Sequence, residues 1–189
     1  MKHPGIEERL AVYRALLEGW APRLDLISPG DLSRVRERHI EDSLRALPLV
    51  TEVGNGWCID VGSGAGLPGI PLAIGSGLPW RLLEPRKRRA AFLEEALREL
   101  ELDQCEVVVR TAQQAALDPA LRAAHSVATA RALAPPADAA ALCRPLVRAT
   151  GHVILLVGSS ADIPRDAEEI EPGLIRLSAD ASESGNTWK

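Results

Sequence analysis

Apolar residues recur with helical spacing through the first fifty residues. The first predicted helix, Ile6–Trp20, carries an apolar stripe at Ile6, Leu10, Tyr13 and Leu17. A second helix is predicted after Ser28-Pro29-Gly30, where Asp31 is placed to cap it. Its stripe consists of Leu32, Val35, Ile40, Leu44 and Leu47. Gly54-Asn55-Gly56 then interrupts the pattern, so residues 1 to about 54 are predicted to form a helical N-terminal cap.

Beyond residue 55, short apolar runs alternate with helical patterns. The predicted strands are Trp57–Val61, Trp80–Glu84, Glu106–Arg110, Ser126–Ala130 and His152–Val157. The predicted helices are Arg86–Leu102, Ala134–Val147 and Ala161–Ile170. Strands that alternate with helices indicate a parallel sheet covered on both faces. We therefore predict one α/β domain over 1–189, in which residues 55–189 form a doubly wound, mostly parallel sheet.

Length, charge and cysteine content narrow the class of protein. A chain of 189 residues suits a single domain. Its longest apolar run, Val153–Val157, is far short of the ~20 residues that a membrane helix needs, and no secretory leader is recognised at the N-terminus. Cys58, Cys105 and Cys143 are far apart, which argues against a zinc site or a disulfide framework and favours a reducing cytoplasm. With a net charge of -4, any contact with nucleic acid requires a local basic patch.

The clearest local motif is the glycine-rich segment Asp60–Gly69, between a predicted strand and a predicted helix. Glycines there allow positive φ angles and close approach of a ligand to the backbone. Counted from Gly62, the third glycine of a dinucleotide fingerprint would fall on Leu67. The segment has instead an acidic residue two before a G-x-G-x-G run, which looks like the first motif of S-adenosylmethionine-dependent methyltransferases. Glu84, at the end of the next strand, is then a candidate acceptor for ribose hydroxyls, although dinucleotide enzymes also place an acidic residue there.

Several segments together resemble the RsmG family, also called glucose-inhibited division protein B. These segments occur in the same order and at the same spacing as in the family. They are Leu24-Asp25-Leu26-Ile27-Ser28, Arg38-His39-Ile40-Glu41-Asp42-Ser43-Leu44, Ile59–Leu72, Leu82-Leu83-Glu84, Arg89–Leu93 and Ala130-Arg131-Ala132. The resemblance implies a class I methyltransferase of Rossmann-like fold. It also implies methyl transfer from S-adenosylmethionine directly, in line, to N7 of a guanine in small-subunit (16S) ribosomal RNA.

The resemblance also assigns candidate residues. The methyl donor would be bound by Gly62, Gly64, Leu67, Glu84, Ala112, Gln113 and Arg131. Because guanine N7 has a free lone pair, no nucleophile or general base is needed, and Arg131 is the candidate positioning residue. Neither a metal ion nor an obligate protein partner is expected.

Basic residues supply candidate contacts to RNA. Arg36, Arg38 and His39 lie on the second predicted helix, and Arg86-Lys87-Arg88-Arg89 opens the third. His39 and Asp42 share a helix face, so His39 either contacts a ligand or fixes the cap against the sheet.

The chain departs from the family pattern at several positions. Asp25 replaces the usual Asn, Gln113 replaces an acidic residue, and Val157-Gly158 stands where Lys-Gly is usual. The family domain ends in a strand pair, of which Leu174–Leu177 is the expected first member. Since the chain stops at Thr187-Trp188-Lys189, the last strand is expected to be truncated or replaced.

These departures leave three alternatives to the RNA methyltransferase. The chain could methylate a small molecule or a protein. It could bind the methyl donor without catalysis, which the missing lysine and short terminus favour. A nicotinamide oxidoreductase is the most distant alternative.

Overall fold

A computed structural model describes residues 5–53, 55–158 and 161–179. The α-helices are α1 (Ile6–Leu24), α2 (Asp42–Leu44), α3 (Leu47–Glu52), α4 (Gly69–Ser76), α5 (Lys87–Glu99), α6 (Ala112–Leu117) and α7 (Pro136–Cys143). The strands are β1 (Cys58–Val61), β2 (Trp80–Leu83), β3 (Glu106–Val108), β4 (His125–Arg131), β5 (Val147–Leu156), β6 (Glu168–Glu171) and β7 (Leu174–Ser178). Two 3₁₀ helices (Pro29–Arg34 and Arg144–Leu146) and a π-helix (Arg36–Glu41) complete the described elements.

The seven strands form one sheet in the order β3-β2-β1-β4-β5-β7-β6. β1 pairs in parallel with β2 and β4, and β7 is antiparallel to both β5 and β6. The strand order reverses between β1 and β4, and this is the position where open parallel sheets bind ligands. The predicted doubly wound, mostly parallel sheet is therefore confirmed.

Two apolar layers cover the sheet. One contains α1, α4 and α5 and includes Tyr13, Trp80 and Leu93, all fully buried. The other contains α6 and α7 and includes Cys143 and Ile175. The cap belongs to the first layer, and the Tyr13 hydroxyl donates a hydrogen bond of 2.7 Å to the carbonyl of Ala65 in the glycine-rich segment. The cap thus packs directly on the candidate ligand site.

The cap differs from its prediction in two places. α1 extends to Leu24 and contains Pro22, whereas the periodicity predicted an end at Trp20. The second helix begins as a 3₁₀ helix at Pro29, so Asp31 lies inside it rather than at its cap. The Asp31 carboxylate instead accepts a hydrogen bond of 2.8 Å from the Ser28 hydroxyl.

The predicted helix Ala161–Ile170 is wrong. In the described part of this segment, residues 161–164 have no regular structure and Glu168–Glu171 is strand β6. Pro164 explains the difference, because it lacks an N–H group and holds the residue before it in an extended conformation. Helix α7 is also shorter than predicted, since β5 begins at Val147.

The terminal strand pair is present among the described residues. Leu174–Ser178 is its second member rather than its first, and Glu168–Glu171 is its partner. β7 also pairs with β5, from Leu156 to His152, and the truncation of the family's last strand stays a prediction. The Thr187–Lys189 segment lies outside the described residues, as does Gly54 at the predicted cap boundary.

No helix within 5–53, 55–158 or 161–179 is long and apolar enough to cross a membrane.

Candidate active site

The glycine-rich loop runs from the end of β1 to the start of α4 and is fixed by backbone hydrogen bonds. Gly62, Gly64 and Gly66 have φ angles of 74°, 54° and 87°, a region that side chains disfavour. The amides of Gly62 and Ser63 both donate to the carbonyl of Leu83 at the end of β2, at 2.8 and 3.0 Å. The loop is therefore held in shape by the neighbouring strand.

The three glycines face different surroundings. A Cβ at Gly62 would lie 2.6 Å from Leu133 Cδ1, and one at Gly66 would lie 2.5 Å from Ile70 Cδ1. A Cβ at Gly64 would meet nothing closer than the Arg89 guanidinium, at 3.7 Å. Gly62 and Gly66 therefore allow close packing within the protein, whereas a Cβ at Gly64 would make ordinary van der Waals contacts with the described residues, among them the Gly62 carbonyl at 3.8 Å.

Glu84 connects the loop to the end of β2. Its carboxylate is 3% exposed and accepts hydrogen bonds from the amides of Gly64 (3.0 Å) and Arg86 (2.8 Å). A carboxylate has about four lone-pair sites, so capacity for a ribose hydroxyl remains. The contact of Glu84 with the ribose of a methyl donor stays a prediction.

Asp60 is a fully buried carboxyl group under the loop. It accepts hydrogen bonds from the Thr129 hydroxyl (2.9 Å) and the Gly69 amide (3.2 Å), and it thereby joins β1, β4 and α4. Desolvation by burial raises the pKa of Asp60 to about 6. Through these hydrogen bonds within the protein, Asp60, the acidic residue of the motif, stabilises the loop.

Further residues that are predicted to bind the methyl donor are Leu67, Ala112 and Gln113. Leu67 is buried in the apolar layer, so its side chain contacts protein. Ala112 and Gln113 start α6, whose N-terminus is closed by hydrogen bonds between Thr111 and Gln114. Ala112 is buried and Gln113 is exposed. Both residues follow the end of β3, which lies on the same edge of the sheet as the loop. Their contact with a donor stays a prediction.

A cavity of about 560 Å³ lies beside the loop, between the cap and the carboxyl ends of β4 and β5. Its lining residues are Asp31, Arg38, His39, Asp42, Arg131, Ala132, Ala134, Pro136, Leu156, Val157, Gly158 and Ala161. The segment after β4 connects the two regions, because Arg131 lines the cavity and Leu133 packs against Gly62. Val157-Gly158, where the family usually has Lys-Gly, also lies here.

Arg131 ends β4, and its side chain is 19% exposed. Its Nη1 lies 3.7 Å from Asp42 Oδ2, an ion pair that is longer than a hydrogen bond. Burial lowers the pKa of Arg131, and the nearby Tyr13 and Asp42 oppose that shift. An arginine remains charged despite such a shift, so the cavity contains a fixed cation.

His39 projects into the cavity from the π-helix. Neither of its buried ring nitrogens has a hydrogen-bond partner among the described residues, and Nε2 lies 3.8 Å from Asp31 Oδ2. Burial lowers the pKa of His39, and the positive charge of Arg131 lowers it further, so the imidazole is neutral at pH 7. Buried polar atoms usually have partners, and this unsatisfied ring favours the ligand-contact interpretation of His39.

The structure separates the candidate RNA-binding residues. Arg38 lines the cavity and donates a hydrogen bond of 2.6 Å to Asp31. Arg36 lines a different groove, where it pairs with Glu7 (3.1 Å) and Glu41 (3.0 Å). Arg36 and Arg38 therefore do not form one patch.

In the second basic cluster, Arg89 donates to the carbonyl of Asp25 at 3.0 Å and so joins α5 to the end of α1. Asp25 has a φ of 52° there, a conformation that Asp and the family's usual Asn both tolerate.

Sequence reasoning missed the contributions of Asp31, Tyr13 and Thr129 to this region. Asp31 was assigned to a helix cap, and Tyr13 was only a member of an apolar stripe. No sequence pattern indicates a role for Thr129, because its hydrogen-bond partner Asp60 lies 69 positions away along the chain. Asp42, by contrast, was placed with His39 on one helix face, and both line the cavity.

Among the residues that the structure describes, no group of three or more His, Cys, Asp or Glu side chains could hold a metal ion.

Solved structures share this fold at low sequence identity. A Methanococcus maripaludis protein described as an S-adenosylmethionine-dependent methyltransferase matches with a TM-score of 0.51 at 16% identity. The match covers 82% of this chain and 64% of that protein. A Corynebacterium glutamicum protein matches with a TM-score of 0.57 at 14% identity, over 89% of both chains. The fold and the loop thus define the class I methyltransferase architecture.

Sequence comparison then identifies the family. Residues 6–176 match the family described as GidB, rRNA small subunit methyltransferase G. A Granulibacter bethesdensis protein named ribosomal RNA small subunit methyltransferase G is 39% identical over 155 residues, which cover 82% of this chain and 70% of the relative. A protein of the same name from Gluconobacter oxydans is 39% identical over 82% of this chain and 76% of its own. The chain belongs to this family, as its motifs predict, and the family excludes a nicotinamide oxidoreductase.

Proposed function

We propose that this protein transfers a methyl group from S-adenosylmethionine to N7 of a guanine in small-subunit ribosomal RNA. Membership in the small-subunit rRNA methyltransferase G family supports the substrate class. The structural observation that carries the proposal is the position of Arg131, a largely buried cation in a cavity whose wall after β4 continues to Leu133, which packs against Gly62 of the glycine-rich loop. The arrangement provides one region for the donor and a second for the base.

The donor region is formed by the loop and the ends of β2 and β3. S-adenosylmethionine supplies a methyl group on a positively charged sulfonium. Gly64, with a φ of 54° and no side chain, is the candidate position for close approach of the donor to the backbone, and the Glu84 carboxylate is the candidate acceptor for ribose hydroxyls. Gln113, exposed at the start of α6, is the candidate contact to the adenine edge, where its amide can donate and accept.

The cavity supplies orientation rather than acid–base chemistry. Guanine N7 carries a lone pair and no proton at neutral pH, so no residue has to remove a proton before it reacts. Arg131 can donate hydrogen bonds to guanine O6 and hold the base, and neutral His39 can add a further contact. Positioning and charge stabilisation of this kind supply large rate enhancements without a nucleophile.

RNA enters this site with its target base unstacked, because N7 must reach a cavity inside the protein. Arg38, at the cavity, is the first candidate for a phosphate contact. Arg36 and the Arg86–Arg89 cluster are candidates at greater distance from the base. We place the reaction in the cytoplasm, in keeping with three free cysteines.

Labelled S-adenosylmethionine and small-subunit RNA or particles from cells that lack this gene provide the test. Nucleoside mass spectrometry after incubation with the purified protein should show N7-methylguanosine. Activity that is insensitive to RNA would favour a small-molecule or protein substrate. Calorimetric binding of the donor with no turnover on RNA or particles would favour a non-catalytic binding module.

A further inference from the structure

The cavity has the shape and composition of a site for a flipped base. Its volume of about 560 Å³ is typical of small-ligand pockets. Ala132, Ala134, Pro136 and Leu156 provide apolar walls, and charged groups gather on the side of the cap. Enzymes that act on extruded bases hold them between apolar side chains and read their Watson–Crick edge by hydrogen bonds.

Guanine has a distinctive Watson–Crick edge. O6 is an acceptor, and N1–H and the 2-amino group beside it are donors. Adenine offers a 6-amino donor and an unprotonated N1 at the same positions. A pocket that selects guanine therefore needs a donor for O6 next to an acceptor for N1–H and the 2-amino group, and a carboxylate is the strongest such acceptor.

Two carboxylates line the cavity, and they differ in their free capacity. Both oxygens of Asp31 are engaged, one by Arg38 at 2.6 Å and the other by Ser28 at 2.8 Å. Asp42 Oδ1 accepts from Arg45 Nη1 at 2.8 Å. Asp42 Oδ2 faces Arg131 Nη1 at 3.7 Å, beyond hydrogen-bond distance.

We propose that Asp42 is the residue that selects guanine: its carboxylate accepts from N1–H and the 2-amino group while Arg131 donates to O6. This inference rests on the proposed function and names the specificity determinant of the same site. Arg131 Nη1 and Asp42 Oδ2 lie 3.7 Å apart, so neighbouring groups on the single Watson–Crick edge of guanine would meet them side by side. N7 remains without a protein partner and is free to receive the methyl group.

Arg45 is the positioning residue for Asp42. Besides its bond to Asp42, its guanidinium donates to Glu171 Oε1 and to the Pro172 carbonyl, both at 2.6 Å. These acceptors belong to the β6–β7 turn, so the sheet edge orients the cap carboxylate. A planar guanidinium can hold three acceptors at once, which a lysine cannot do with the same geometry.

Inosine provides the experiment, because it keeps O6, N1–H and N7 but lacks the 2-amino group. Two small-subunit RNAs are prepared that differ only by guanosine or inosine at the nucleoside modified by the wild-type enzyme. We expect the wild-type kcat/KM to be about tenfold higher on guanosine, the effect of one hydrogen bond to a charged acceptor. Asp42→Ala should reduce this ratio to about one, and Asp42→Asn, whose amide oxygen still accepts but carries no charge, should give an intermediate ratio.

Glu41→Gln is the matched control, since Glu41 precedes Asp42 but pairs with Arg36 in the other groove and should keep the wild-type ratio. Arg45→Gln should lower the ratio, and Arg45→Lys should restore it in part. Thermal melting and donor binding verify that each variant is folded.

Equal wild-type rates on the two RNAs overturn this inference and leave the proposed function standing. A ratio in Asp42→Ala that equals the wild-type ratio also overturns it. Absence of methylation on the guanosine RNA overturns the proposed function, and the inference with it.

Discussion

The glycine loop and the adjoining cavity differ in how far their polar groups are satisfied. In the loop, Glu84 and Asp60 each accept two hydrogen bonds from neighbouring parts of the chain. In the cavity, both His39 nitrogens lack partners, and Asp42 and Arg131 lie just beyond hydrogen-bond distance. The loop is thus a rigid, preformed part of the fold, whereas the cavity retains unused hydrogen-bonding capacity for a ligand.

This difference predicts which substitutions affect the stability of the fold and which affect catalysis. Substitutions in the loop should affect folding, because its glycines and carboxyls are used internally. Substitutions of Arg131 and His39 should affect catalysis more than folding, because these two side chains make no hydrogen bond within the described part of the chain. The predictions below test this separation.

The largest expected effect is that of Arg131→Ala on catalysis. Removing a preorganised charged donor from a largely buried site should lower kcat/KM about 100- to 1,000-fold. Steady-state methylation kinetics measure the change, and the melting temperature should move little by comparison. Arg131→Lys, which keeps the charge without the planar donor pair, should recover part of the loss. An Arg131→Ala enzyme with near-normal activity would remove Arg131 from the site.

Gly66→Ala should damage the fold. Its φ of 87° is strained for alanine, and the new Cβ would lie 2.5 Å from Ile70. We expect the free energy of unfolding in a denaturant titration to fall by about 3 kcal/mol.

Gly64→Ala is the matched comparison, because its Cβ would have no contact closer than 3.7 Å. Strain alone should cost about 1–2 kcal/mol. Donor binding measured by calorimetry should nevertheless weaken at least about tenfold, since the new methyl group would keep the donor from approaching the loop backbone. Unchanged donor affinity in Gly64→Ala would contradict the placement of the donor.

Asp60 should make stability depend on pH. Its pKa of about 6 in the folded protein exceeds the ordinary value of about 3.9, so the folded state binds an extra proton between these pH values. The free energy of unfolding contributed by this group therefore falls by about 2–3 kcal/mol as the pH rises from 4 to 7.

Denaturant titrations of wild type and Asp60→Asn across this range isolate the contribution of Asp60. Other groups titrate in both proteins, so the difference between the two curves carries the information. Parallel curves would show that Asp60 has an ordinary pKa.

The smallest effect separates two arginines that are two residues apart. Arg38→Gln should lower kcat/KM on RNA about tenfold, because Arg38 lies at the cavity. Arg36→Gln should change it by no more than about threefold, since Arg36 lies in the other groove, away from the base, where it pairs with Glu7 and Glu41. Equal losses of kcat/KM in the two variants would indicate that Arg36 and Arg38 contact RNA together as one basic patch.

The same contrast explains what could be read from the sequence. The loop is a continuous motif, so Asp60–Gly69 and Glu84 were placed correctly relative to the sheet. The cavity is assembled from segments near residues 31–42, 131–136 and 156–161, and no local pattern reports that they meet. Asp31 illustrates the difficulty, because its sequence context is that of a helix cap.

The helix predicted over Ala161–Ile170 shows another limit. Its composition is compatible with a helix, but Pro164 and pairing with Leu174–Ser178 determine a strand at Glu168–Glu171 instead. Pairing partners on the edge of a sheet are chosen by tertiary contacts, which periodicity does not encode.

A crystal structure of the protein with S-adenosylhomocysteine and a guanosine-containing fragment of its RNA substrate tests the central claim most directly. The account predicts the adenosyl group beside Gly64 and Glu84, and the guanine in the cavity with O6 at Arg131 and N7 turned toward the donor sulfur. A base bound outside the cavity, or a guanine whose N7 is held by Arg131, would contradict it.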